Sequence, residues 1–314
     1  MTVSRWTGAV VALGIILLTA GCGSTNGTPT PAGRPGQLKI VVAFYPFQFV
    51  AERLAGPYAV VQNLTQPGAE PHDVELTPRQ VVDISRADLV IYEHSFQPAV
   101  DAAVEQEGGE HVLDTATVVP LQPLGEGPHN PESTGDDHGH DGLDPHVWLA
   151  PPNMASIATA VAAWLAEADP DHRRDFEANL AKLSAELTDL DRDFAQGLQT
   201  CVRREFITSH AAFGYLASRY RLEQIAIGGL SPEAEPSPAR IAEVQDAARR
   251  YQITTIFYET LVSPAVAESI AGDLGLRTDV LDPIEGITDQ SRGSDYLAVM
   301  RSNLAALQKA NECT

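Results

Sequence analysis

Three histidines and an aspartate stand at widely separated points of the chain. They are His72 in "EPHDVELTP", His146 in "DPHVWLAP", His210 at the end of "REFITSH" and Asp282 at the end of "LRTDVLD". Imidazole nitrogen and carboxylate oxygen together are the donors that suit Zn2+ in a tetrahedral site. A lone histidine at the end of a strand is more often a hydrogen-bonded structural residue, so the inference rests on the set. Glu259, closing "ITTIFYE", adds a second carboxylate in the same kind of position. His94 also follows an apolar run, so position alone does not separate it from the set. His111 and His172 read as surface groups.

These residues need elements to hold them. "QLKIVVAFY" (37–45), "YAVVQNLT" (58–65) and "DLVIYE" (88–93) are apolar runs of strand length, separated by helical periodicity in "PFQFVAERLAG" (46–56) and "TPRQVVDISRA" (77–87). In the second helix Thr77 is placed as N-cap and Pro78 in the first turn. Buried-type strands alternating with helices predict parallel sheet in an α/β fold. Such folds bind ligands outside the carboxyl ends of their strands, which is where His72, His210, Glu259 and Asp282 fall. His146 immediately precedes the helix of "NMASIATAVAAWLAEA". Between Asp171 and Gln196 there is no Gly or Pro, and Phe176, Leu180, Leu183, Leu187, Leu190 and Phe194 recur at three- and four-residue steps. That pattern predicts one long helix within 169–198. It joins an N-terminal lobe (37–168) to a C-terminal lobe (199–314), in which the βα pattern restarts without any sequence repeat. The two lobes are both expected to be α/β with parallel sheets.

The chain has 314 residues, 44% of them apolar, enough for two lobes with a sizeable core. Its formal net charge of −21, from 42 acids against 21 bases, argues against nucleic acid as a partner. At the N-terminus Arg5 precedes the apolar "TGAVVALGIILLTAGC", which reads as a secretory signal over 1–21. An uncleaved transmembrane anchor is the alternative. "LTAGC" resembles the lipobox of bacterial lipoproteins, with Thr19 where that pattern prefers Leu. The resemblance implies lipidation of Cys22, with 22–36 as a tether holding the protein to the extracytoplasmic face of the membrane. With Cys22 so used, Cys201 and Cys313 are predicted to form a disulfide in an oxidising setting, two unpaired thiols being the alternative. A loop of that length is credited with about 4–5 kcal/mol in the chain-entropy account. The polar segment 124–145 interrupts the βα pattern. Its His129, His138 and His140, with Asp136, Asp137, Asp141 and Asp144, could add weak metal capture.

Taken together, "PHDVELTP", "DPHVWLAP", "SHAAFGYLASRY", "IFYETLVSPAVAESIA" and "VLDPIEG" resemble the conserved segments of the zinc-binding type of cluster A-I substrate-binding proteins of ABC transporters. The resemblance spans nearly all of 38–314. It implies two α/β lobes joined by one long rigid helix, and a monomer that captures Zn2+ between the lobes and delivers it to an ABC permease. It makes His72, His146 and His210 metal ligands and places Asp282 at the family's carboxylate position. Glu259 and Asp144 are placed behind the ligands, to orient the rings and offset the net charge of +1 left by three neutral histidines and one carboxylate around Zn2+. The acidic, histidine-bearing loop before His146 also matches the zinc type. Manganese-binding relatives carry a carboxylate at the position of His210, and nitrogen there favours zinc. Manganese or a broader divalent range is the alternative cargo, and adhesion a secondary role. A zinc hydrolase would need an open coordination position and a nearby base. No HExxH occurs in the chain, so no enzymatic activity is expected.

Overall fold

The computed structural model describes residues 1–2, 36–109, 111–123 and 142–314. Nearly all of the expected signal segment and of the tether, Cys22, and loop histidines His129, His138 and His140 lie outside the described residues.

The apolar runs become two four-stranded parallel sheets. In the first lobe β1 (Leu38–Val42), β2 (Ala59–Asn63), β3 (Leu89–Tyr92) and β4 (Val112–Asp114) are arranged in the order β2-β1-β3-β4. The helices α1 (Tyr45–Ala55), α2 (Pro78–Ser85) and α3 (Pro98–Glu107) connect them. A short antiparallel ribbon pairs β5 (Gln122–Pro123) with β6 (Leu143–Asp144), and α4 (Pro151–Ala168) follows. In the second lobe β7 (Glu205–Thr208), α6 (Gly214–Tyr220), β8 (Glu223–Ala226), α7 (Pro238–Arg250), β9 (Thr255–Tyr258), α8 (Ala265–Leu274) and β10 (Arg277–Val280) form the sheet β10-β9-β7-β8. The last helix, α9, runs from Tyr296 to Asn311.

Local chemistry sets several boundaries. Thr77 caps α2 by accepting from the Gln80 N–H, while the Gln80 side chain reaches back to the Thr77 N–H, a complete capping box with Pro78 in the first turn. β1 stops at Val42, short of the apolar run, because Tyr45 and Pro46 already open α1. The sequence pattern does not mark α3, β4 or α9.

The connecting helix α5 covers Arg173–Gly197, 25 residues, after a 3-10 turn at Pro170–His172. At 1.5 Å per residue it is about 37 Å long. It is fastened along both halves. Towards its start, Asn179 donates to the Leu54 carbonyl at 2.8 Å, Tyr58 donates to Asp175 at 2.8 Å, and Arg53 pairs with Glu186. Towards its end, Asp191 accepts from Arg219 at 2.7 Å and from Tyr220 at 2.9 Å, and Phe194 stacks on Tyr220. Phe176, Leu183, Leu187, Leu190 and Phe194 are buried. They belong to one hydrophobic core that runs from Ile40 in β1 through Trp148 and Tyr215 to Tyr296 and Ala310. A smaller core lies between the second sheet and helices α7 and α8. A shared core and a strut bonded to both lobes leave little freedom for a wide hinge. The disulfide between Cys201 and Cys313 is present and ties the end of the chain to the start of the second lobe.

Candidate metal centre

The carboxyl ends of the two sheets face a common point. There the Nε2 atoms of His72, His146 and His210 each stand 3.5 Å from Oε1 of Glu285. One ligand atom from each of the four residues lies within 4.8 Å of every other, and all four residues are buried. Spacings of 3.5 Å are long for hydrogen bonds. They are close to the edges of a tetrahedron whose vertices lie about 2.0–2.1 Å from its centre, about 3.3–3.4 Å, the geometry of zinc with nitrogen and oxygen donors. Nε2 of His146 and of His210 and both carboxylate oxygens of Glu285 have no hydrogen-bond partner. Such buried atoms are costly unless an ion is to be held among them.

His72 lies in the loop after β2. Gln97 Nε2 fastens that loop by donating to the Pro71 carbonyl at 2.9 Å, and Phe96 meets the His72 ring edge-on at 4.5 Å. His146 follows the ribbon strand β6. Asp144 Oδ1 accepts both from the His146 backbone N–H (2.9 Å) and at its Nδ1 (2.7 Å). His210 lies just past β7. Its carbonyl accepts from Thr208 Oγ1 (2.7 Å) and Gln224 Nε2 (2.9 Å), and its Nδ1 sits 2.8 Å from Glu259 Oε1. Ser209 donates to the same oxygen of Glu259 at 2.7 Å. A carboxylate on Nδ1 fixes the proton there and turns the Nε2 lone pair inward, as metal-binding histidines require. The lobes approach closely behind His146, where a Cβ on Gly214 would collide with the Asp144 carboxylate.

The electrostatics divide the rings. Burial opposes charge on all three. At His72 it prevails and lowers the pKa. At His146 the Asp144 and Glu285 carboxylates overcome it and raise the value. At His210, Glu259 and Glu285 hold it well above the ordinary range. Glu285 is held well below the usual carboxylate range although burial alone would raise it, because three imidazoles surround it. Glu70 stands nearby with its carboxyl pushed up to about 8, by burial first and then by Glu285.

The structure differs from the sequence expectation at the carboxylate. Asp282 is buried but held by its own loop and the one after β9: Oδ1 accepts from the Ile284 N–H at 2.8 Å and Oδ2 from Thr260 Oγ1 at 3.2 Å. Glu285, three residues on and one methylene longer, is the carboxylate that stands 3.5 Å from the three ring nitrogens. Sequence reasoning missed Glu285 although it lies in "VLDPIEG". The signal was Pro283, which breaks the extended run after Asp282 and precedes a left-handed Ile284, so a second acid follows in the same turn. Glu259 and Asp144 stand against His210 and His146 as described. Among the described residues the other histidines lie elsewhere: His94 is exposed beside Asp101, His111 meets Trp164, and His172 bonds Asp169 and stacks on Tyr58.

Residues 40–310 match the family described as "Zinc-uptake complex component A periplasmic". The chain is 32% identical over 309 residues to the high-affinity zinc uptake system protein ZnuA of Bacillus subtilis, covering 97% of each chain. It is 35% identical over 283 residues to the zinc-binding lipoprotein AdcA of Streptococcus pneumoniae, covering 88% of this chain but only 56% of that relative's length. The crystal structure of the Zn(II)-bound ZnuA-like domain of Streptococcus pneumoniae AdcA superposes with a TM-score of 0.73 at 34% identity, covering 88% of this chain and all of that one.

Proposed function

The chain belongs to the zinc-uptake complex component A family, and from that premise we propose that it captures Zn2+ outside the cytoplasm and hands it to an ABC permease. The ion is cargo, held by Nε2 of His72, His146 and His210 and by the Glu285 carboxylate. The observation that carries this reading is the set of three 3.5 Å separations from one Glu285 oxygen to three ring nitrogens, one from each of three different loops. Four protein donors close a tetrahedral site, so no position is left for the water that a hydrolytic zinc centre needs. Nitrogen at His210 favours zinc over manganese. The family relation supports a permease as partner, and the name zinc-binding lipoprotein, carried by one relative, supports a lipid anchor, here through Cys22. Among the described residues no helix is long and apolar enough to cross a membrane. The protein acts as a monomer, the signal 1–21 is removed, and loop histidines His129, His138 and His140 add weak capture.

A zinc-soaked crystal with anomalous scattering at the zinc edge, together with calorimetry on Glu285→Ala and Asp282→Ala, tests the assignment. The expected peak lies among the three Nε2 atoms at about 2.0–2.2 Å from a Glu285 oxygen. Glu285→Ala should weaken zinc binding at least tenfold and Asp282→Ala by less. A peak bonded to Asp282, or no zinc uptake by the wild type, would overturn it.

A further inference from the structure

His146 and Glu285 come from opposite lobes, yet one side chain joins the segments that carry them. Trp148, two residues beyond His146, is completely buried, and its indole Nε1–H donates to the Pro283 carbonyl at 2.7 Å, two residues before Glu285. Tyr296, at the start of α9, donates its hydroxyl back to the Trp148 carbonyl at 2.6 Å. The indole is held in place by Phe44 at 4.7 Å and Phe96 at 5.1 Å.

The turn that receives this bond does not hold its shape unaided. Ile284 has φ +62°, a left-handed conformation that a β-branched residue adopts only where its surroundings enforce it. Asp282 supplies one restraint through the Ile284 N–H, and Asn303 supplies another by clasping the Asp282 N–H and carbonyl at 2.9 and 2.7 Å. Both belong to the second lobe. The Trp148 bond reaches the same turn from the first lobe, from the segment that also carries a ligand.

We propose that Trp148 is a positioning residue that sets the Glu285 carboxylate against the three imidazoles, coupling the two lobes at the metal centre through the Pro283 carbonyl. This rests on the ligand set assigned above. A side chain acting through Glu285 should matter only while Glu285 is present, which separates positioning from general packing.

The test is a double-mutant cycle on zinc affinity in the full-length protein. Trp148→Phe keeps an aromatic ring against Phe44 and Phe96 and removes the N–H. It should raise the zinc dissociation constant about tenfold in the wild type and less than twofold in a Glu285→Ala background. Tyr296→Phe, which leaves the indole intact, should give a smaller loss that vanishes in the same way, and it carries the test alone if Trp148→Phe fails to fold. Equal losses in both backgrounds, or no loss in either, would overturn the proposal. If His210→Ala weakens zinc binding while both aromatic variants bind like wild type, the positioning role is wrong and the site stands. A wild type that takes up no zinc overturns both.

Discussion

Glu93 and Glu259 occupy the same place in two copies of one topology. Taken in chain order, the strands of each lobe are arranged second, first, third, fourth, and each glutamate is the first residue after the third strand, in "LVIYE" and "TIFYE". Both are buried. Glu259 accepts from Ser209 and faces Nδ1 of His210. Glu93 instead accepts from the Thr115 hydroxyl, and burial lifts its carboxyl well above the usual range, with Asp114 and Asp144 adding to the rise. The backbone therefore places a carboxyl at this position in both lobes, and its partner determines what it does. Beside the Nδ1 of an imidazole, it anchors the ring. Beside a hydroxyl and buried, it is an acid inclined to keep its proton.

The widest separation between the two positions should come from their partners. His210→Ala removes a proposed ligand and leaves Glu259 facing a hole, so zinc affinity should fall on the order of a hundredfold by calorimetry, the upper end of the loss typical of groups behind a ligand. Thr115→Ala should leave affinity within twofold. Similar losses would mean that Glu93 supports the centre as Glu259 does.

Glu259→Gln should lower zinc affinity about tenfold at neutral pH, since the His210 ring loses the group that orients it. The pH profile sharpens this. Glu259 and Glu285 raise His210 against its burial, so in the metal-free protein zinc must displace a proton, and wild-type affinity should fall as pH drops through that raised value. Removing Glu259 lowers the value, so the variant's affinity should fall less steeply on acidification. A steeper fall would break the assignment. His72, with its pKa lowered, should contribute nothing to the slope near neutrality.

The smallest effect on binding should come from Glu93→Gln, within twofold by the same titration. Its signature is in stability. A carboxyl raised in the folded state stabilises fully below its unfolded pKa, and that contribution is lost as pH rises towards the folded value. The metal-free variant should therefore gain on the wild type in melting temperature as pH rises above about 4.5, the ordinary glutamate value. A constant offset across pH would show that Glu93 titrates normally.

The fold was legible where periodicity and punctuation agreed. Thr77 and Pro78 marked a helix start that the capping box completes, and the leucine and phenylalanine steps from Phe176 to Phe194 marked the strut. The shared strand order was not legible, because the two halves follow the same pattern with different residues. β4 is only three residues long and too short to be read from its apolar content. In the site, the three histidines were legible as a set, and Glu259 by its position at a strand end. The carboxylate was not, because Asp282 and Glu285 lie in one short turn. Their choice depends on backbone direction after Pro283 and on a left-handed Ile284, neither of which periodicity reveals.

The bond between Cys201 and Cys313 makes the second lobe a covalently closed ring that contains His210, Glu259 and Glu285. A protease that cuts anywhere within that ring opens it without releasing a fragment. Nicked protein should run as two pieces only after reduction, and the cut ends remain tethered so that the sheet can re-form.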